Sequence, residues 1–141
     1  MSEAVVATAS VAFAQAMMVF HPQPAEAGQG IKLPSGQTVT WVDAIHDAQG
    51  TEGSAMRFRF LAPAISGRGA LDVEDALSDI AWLCENFALA RIPNPGPQVN
   101  QIVVSLMDRE VPFGEADETV TQYFDAFNIT NGTCELELFY D

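Results

Sequence analysis

Positive charge is what this chain has least of. A single Lys, Lys32, and five Arg stand against 19 acidic residues, for a formal net charge of −13. A surface of that sign repels phosphate backbones and anionic membranes, which counts strongly against nucleic-acid binding and leaves a cationic or polar partner compatible. Cysteine is nearly as scarce. The two, Cys84 and Cys134, stand in no CxxC spacing and have no His close in sequence, so a zinc or thioredoxin-like site is a poor reading. The chain has no phosphate loop, dinucleotide fingerprint, HExxH or GxSxG, and so none of the signatures of nucleotide, zinc-protease or serine-hydrolase chemistry. Internal repeats, heptads and low-complexity blocks are also missing. With 48% hydrophobic against 18% charged residues, it is nevertheless not a disordered chain. Its 141 residues suit one domain with a core of its own.

The longest uncharged run is residues 4–20, AVVATASVAFAQAMMVF. It reads as a membrane anchor, as a secretory signal with PAEA before Gly28 as a small-residue cleavage site, or as an amphipathic or core helix. A signal peptide's basic n-region is missing. Its small residues would let neighbouring transmembrane helices approach closely. Residues 21–30, HPQPAEAGQG, read as a linker, which makes residues 31–141 the folded domain.

That domain is organised around residues 72–90, DVEDALSDIAWLCENFALA. Val73, Ala76, Leu77, Ile80, Leu83, Cys84 and Phe87 follow the spacing of a helix with one buried face. Asp72, Glu74, Asp75 and Asp79 crowd its early turns and suit the positive end of its dipole, and Pro93 and Pro95 stop it. The clearest strand is residues 55–62, where Met56, Phe58 and Phe60 alternate with Arg57 and Arg59. Further strands are expected at 31–33, 39–45 and 102–106. Residues 123–129 and 134–140 should pair about Asn131-Gly132, since both central positions of a type I′ turn need positive φ.

The cysteines are the best candidates for a structural site. Cys84 lies on the buried face of the helix, and Cys134 shares a face with Leu136 and Leu138. If both faces meet the core, a Cys84–Cys134 disulfide forms; the alternative is two reduced buried thiols. The export reading of the N-terminus favours the bridge. His46, beside Asp43 and Asp47, invites a general-base reading, but no nucleophile stands in a recognisable elbow. The acidic loop with Asp108, Glu110, Glu115, Asp117 and Glu118 lacks the spacing of a calcium loop and reads as a solvated stretch. Arg57 and Arg59 are expected to pair with Glu135 and Glu137 across the sheet.

Six blocks taken together are familiar: LPSG at 33–36, MRFRFLAP at 56–63, WLCE at 82–85, VVSLMDREVPFG at 103–114, TQYFDAF at 121–127 and NGTCELELF at 131–139. In that order they resemble domain-of-unknown-function family 6497, small exported bacterial proteins without known activity. The resemblance implies a compartment and a fold but no reaction.

The expected fold is α+β: a mainly antiparallel sheet of about five strands with one long helix on one face, preceded by an N-terminal apolar helix. The expected function is that of a non-enzymatic, exported or membrane-tethered domain that binds a protein, such as an accessory subunit of a membrane complex. It would sit in the periplasm or on the periplasmic side of the inner membrane, with residues 4–20 in the bilayer and no cofactor, metal or catalytic residue. One alternative is a small hydrolase or metal-dependent enzyme using His46 and nearby acids. The other is a soluble cytoplasmic domain.

Overall fold

The computed structural model describes residues 17–23, 26, 28–50, 53–93 and 98–138. They form a seven-stranded sheet with one helix laid across one face. The strands are β1 (Met17–Phe20), β2 (Gly30–Lys32), β3 (Thr38–Gly50), β4 (Gly53–Leu61), β5 (Gln101–Met107), β6 (Gln122–Thr130) and β7 (Thr133–Leu136). Their order across the sheet is β1-β3-β4-β5-β6-β7, with β2 lying on β3 beside β1.

Two features correct the expected fold. The sheet has seven strands rather than about five, and it is mixed: β4 and β5 run parallel, while every other pair is antiparallel. The cause is the helix between β4 and β5. Its 19 residues rise about 28 Å at 1.5 Å each, close to the roughly 30 Å run of a nine-residue strand. The chain is therefore carried back to the starting end of β4, and β5 sets off beside it in the same direction. Second, among the described residues no apolar helix precedes the sheet. Met17–Phe20, the end of the uncharged run, is strand β1, paired from Met17↔Asp47 to Phe20↔Ala44. β3 is 13 residues long and runs past Ile45, so its far half offers a ladder that β1 fills. Residues 4–16 of that run lie outside the described residues. Among the described residues, no helix is long and apolar enough to cross a membrane.

The helix begins as α1 (Val73–Leu83), capped by the Asp72 carboxylate accepting from the Asp75 N–H at 3.0 Å. It loosens to a π turn over Cys84–Ala88 and tightens to a 3-10 turn over Leu89–Arg91. Its buried face is Ala76, Ile80, Leu83, Cys84, Phe87 and Ala88. These pack on Met56, Phe58 and Phe60 of β4 and Ile102, Val104 and Leu106 of β5. Phe87 stands edge-on to Trp41 and Phe60, with ring centroids 5.2 and 5.4 Å away, a favoured aromatic geometry.

Asp79 sits in the same helix, fully buried. Its carboxylate accepts from the Ser35 N–H (3.0 Å), the Ser35 hydroxyl and the Gln37 side-chain amide (2.9 Å). The turn ahead of β3 is thereby fastened to the helix by a charge that is fully hydrogen-bonded, the condition for keeping one in a core.

The β6–β7 hairpin turns on Asn131 and Gly132 with φ of 53° and 77°, as the Asn-Gly pair demands. A disulfide ties this hairpin to the helix: Cys84 of the π turn and Cys134 of β7 are bonded, with Cα atoms 6.2 Å apart. A second tie lies beside it, where the Glu85 carboxylate accepts from the Cys134 N–H at 2.6 Å. The bridge is compatible with an exported protein, since disulfides persist in oxidising compartments.

Asp125 is half-buried on the helix side of β6, level with Val104, and burial raises its pKa above the ordinary carboxylate value. The fold thus favours its protonated form. Stability from this group is gained as pH falls through the raised value and is lost above it. Asp125→Asn should raise the melting temperature at pH 7, and the gain should vanish at a pH below the ordinary carboxylate pKa. Equal melting of the two proteins at pH 7 would show that burial costs this carboxylate nothing.

Candidate functional site

The sheet face away from the helix is built differently. It carries Ile45, Arg57, Arg59, Val103, Ser105 and Phe124, and a loop from 108 to 121 folds back over part of it. Strand alternation places the two arginines here, because Met56, Phe58 and Phe60 take the helix side. Asp43 joins them through a register shift between Trp41 and Asp43. This bulge puts Asp43 directly opposite Arg59.

Arg59 is saturated. Its Nε and one terminal nitrogen donate to the two Asp43 oxygens at 2.8 and 2.7 Å. The other terminal nitrogen donates to the Val111 carbonyl at 2.6 Å, which pins the loop to the sheet. Both charged residues are about 7% exposed, so this is a bidentate pair taken out of water.

The loop is also clamped at its neck. The Asp108 N–H donates to the Thr121 carbonyl, and the Asp108 carboxylate accepts from the Thr121 N–H, both at 3.1 Å. Arg109 donates to the Thr119 carbonyl at 2.8 Å. Two strong clamps and the Arg59 pin hold Phe113, at the loop's tip, over the arginines.

Arg57 is the contrast. Half-buried, it has no hydrogen bond or ion pair to any described residue. Its guanidinium carbon lies 5.9 Å from the Phe113 ring centroid and 5.4 Å from that of Phe124. Burial, and next the like charge of Arg59, lower its pKa from the usual arginine value; the group remains a cation at neutral pH. Beside it is a cleft of about 240 Å³ bounded by Ser105, Met107, Val111, Phe113 and Phe124, with Glu115 and Gln122 at its edge.

The expected pairing of Arg57 and Arg59 with Glu135 and Glu137 does not occur. Strands β5 and β6 separate β4 from β7. Glu137 instead accepts from the Gln101 side chain, and Glu135 from the Thr130 hydroxyl.

His46 and Asp43 are not brought together. The imidazole is buried and shares a 2.6 Å hydrogen bond between Nε2 and the Ser54 hydroxyl. Asp43, three residues earlier in the same regular stretch of strand, faces the other side of the sheet and is held by Arg59. A His–Ser contact is present, but the carboxylate that would orient the imidazole is engaged elsewhere. In the acidic loop, Asp117 accepts from the Thr119 hydroxyl (2.7 Å) and N–H (3.0 Å), and these bonds, the side-chain one first, lower its pKa. Among the described residues, no group of three or more His, Cys, Asp or Glu is placed to hold a metal.

The cleft was not foreseen from the sequence. One signal pointed to it: two Arg within a single strand of a chain with six basic residues. A family model described as a family of unknown function matches residues 9–139. No curated protein and no solved structure matches the chain.

Proposed function

The chain belongs to the DUF6497 family, the one its sequence blocks resemble, and from that starting point we propose that it is a non-enzymatic domain that binds a protein partner through the helix-free face of its sheet. One observation carries the reading. Phe113 and Phe124, 45% and 51% exposed, flank the unpaired Arg57 on an otherwise ordered face. Aromatic rings and arginine are the residues enriched at the energetic centres of interfaces, and a loop clamped in advance loses little freedom on binding. The Cys84–Cys134 bridge supports an oxidising location, for which the periplasm is the proposed compartment. A membrane complex is a fitting partner if residues 4–16 tether the domain.

Site-specific photo-crosslinking in the native cells tests this. A crosslinker at Phe124 should yield one discrete adduct, absent with the crosslinker at Ser78 on the exposed side of α1. The adduct should disappear when Arg57→Glu is added. Equal labelling from both positions, or none from Phe124, would overturn the assignment of this face.

A further inference from the structure

The cleft beside Arg57 shows a chemical preference that deepens the proposed reading and rests on it. We propose that it is a binding site for a monocarboxylate carried on a small apolar body, with Arg57 as the anion-binding group.

Charge matching comes first. Of the two guanidiniums on this face, Arg59 is neutralised by both oxygens of Asp43 and also donates to the Val111 carbonyl and the Met107 sulfur. Arg57 is left with one uncompensated positive charge, half-buried, whose donors meet no acceptor among the described residues. A buried cation without a partner is costly, and a carboxylate is the group that a guanidinium's planar fork receives with two parallel hydrogen bonds. The single charge selects a monoanion. A phosphate dianion would bring a second negative charge beside Glu115, in a chain already at −13.

The walls supply the second part. Met107, Val111, Pro112, Phe113 and Phe124 form the apolar part of a mixed lining whose other side chains, Arg57, Arg59, Ser105, Glu115 and Gln122, are polar, so the body attached to the carboxylate needs one apolar or aromatic side to set against the rings. Size supplies the third. About 240 Å³ falls below the roughly 300–1,000 Å³ of pockets that enclose drug-sized ligands. It suits a small organic acid, or the last residue of a protein chain with its free carboxylate. Arg57 also lies over two rings, 5.9 and 5.4 Å from their centroids, contacts that restrain its guanidinium before a ligand arrives.

The test is a two-dimensional NMR titration of the full chain with sodium benzoate, benzamide, inorganic phosphate, and the peptide acetyl-Gly-Gly-Phe as free acid and as amide. Benzoate or the free-acid peptide should shift the Ser105 and Gly114 amides and saturate. Benzamide, phosphate and the peptide amide should not. Arg57→Gln should weaken the binding by about tenfold or more, the loss expected for one charge-assisted pair. If that variant fails to fold, Phe113→Ala, at an exposed tip, should weaken binding in its place. Saturation by benzoate alone identifies a free small acid as the source, and saturation by the peptide acid alone identifies a protein C-terminus; both support the site. No shift from either acid, equal binding of benzamide, or undiminished binding by Arg57→Gln overturns it. The two proposals fail separately. A crosslinked partner without carboxylate binding removes only the carboxylate site, and carboxylate binding without a crosslinked partner removes only protein recognition.

Discussion

Arg59→Met should destabilise the protein by about 3–5 kcal/mol, the cost of leaving one member of a buried ion pair without its partner. Asp43 would remain with a side chain 9% exposed and its two guanidinium bonds gone. The loss extends beyond the pair, because Arg59 also donates to Val111 and so holds the 108–121 loop on the sheet. The double variant Asp43→Leu/Arg59→Met should recover most of the stability, since a well-packed apolar pair of similar volume is often as stable as the ions it replaces. It should not recover the loop's position, which depends on a donor at residue 59. Urea unfolding of the three proteins measures the first effect, and proteolysis near Phe113 reports the second. A single-variant loss below about 1 kcal/mol, the range of exposed pairs, would mean that this pair is solvated.

The second large effect concerns the bridge. It closes a segment with a sequence separation of 50 residues. A cross-link of that length removes about 4 kcal/mol worth of chain entropy from the unfolded state. Replacing both cysteines by serine should cost about that much. The cost should fall on β7, the edge strand of four residues, whose other tie to the helix is the bond from its Cys134 N–H to Glu85. A reductant should lower the melting temperature of the natural protein toward that of the double variant and leave the variant unmoved. A natural protein that melts identically with and without reductant would refute the contribution assigned to the bridge.

Much of the architecture was legible because it is written in local patterns. The 3.6-residue period specifies a helix and, from Ala76 to Phe87, its buried face, while Val73, which the same period placed there, is 43% exposed in the first turn. The two-residue period from Met56 to Phe60 specifies a strand and its core side. Asn131-Gly132 specifies a hairpin, because those two residues tolerate the positive φ the turn requires. The disulfide was legible only in part: the helix period put Cys84 on a buried face, but Leu136 and Leu138, read as sharing the core face of Cys134, are 49% and 68% exposed, and it was the export reading that chose the bridge over two reduced thiols.

What tertiary structure decided is which element lies beside which, and on which side a residue falls after an irregularity. Periodicity marks strands but carries no strand order, so neither the parallel β4–β5 pair nor the place of β1 on the far half of β3 could be read off. Nor could the partner of Arg59. Simple alternation puts Val39, Trp41, Asp43 and Ile45 on one face of β3. The bulge after Trp41 breaks that parity, so Val39 and Trp41 join the helix-side core while Asp43 and Ile45 face away from it. A shift of one residue exchanges the faces of everything that follows it. It delivers Asp43 to Arg59 and leaves Arg57, two residues earlier on the same strand, without a hydrogen-bonded partner among the described residues.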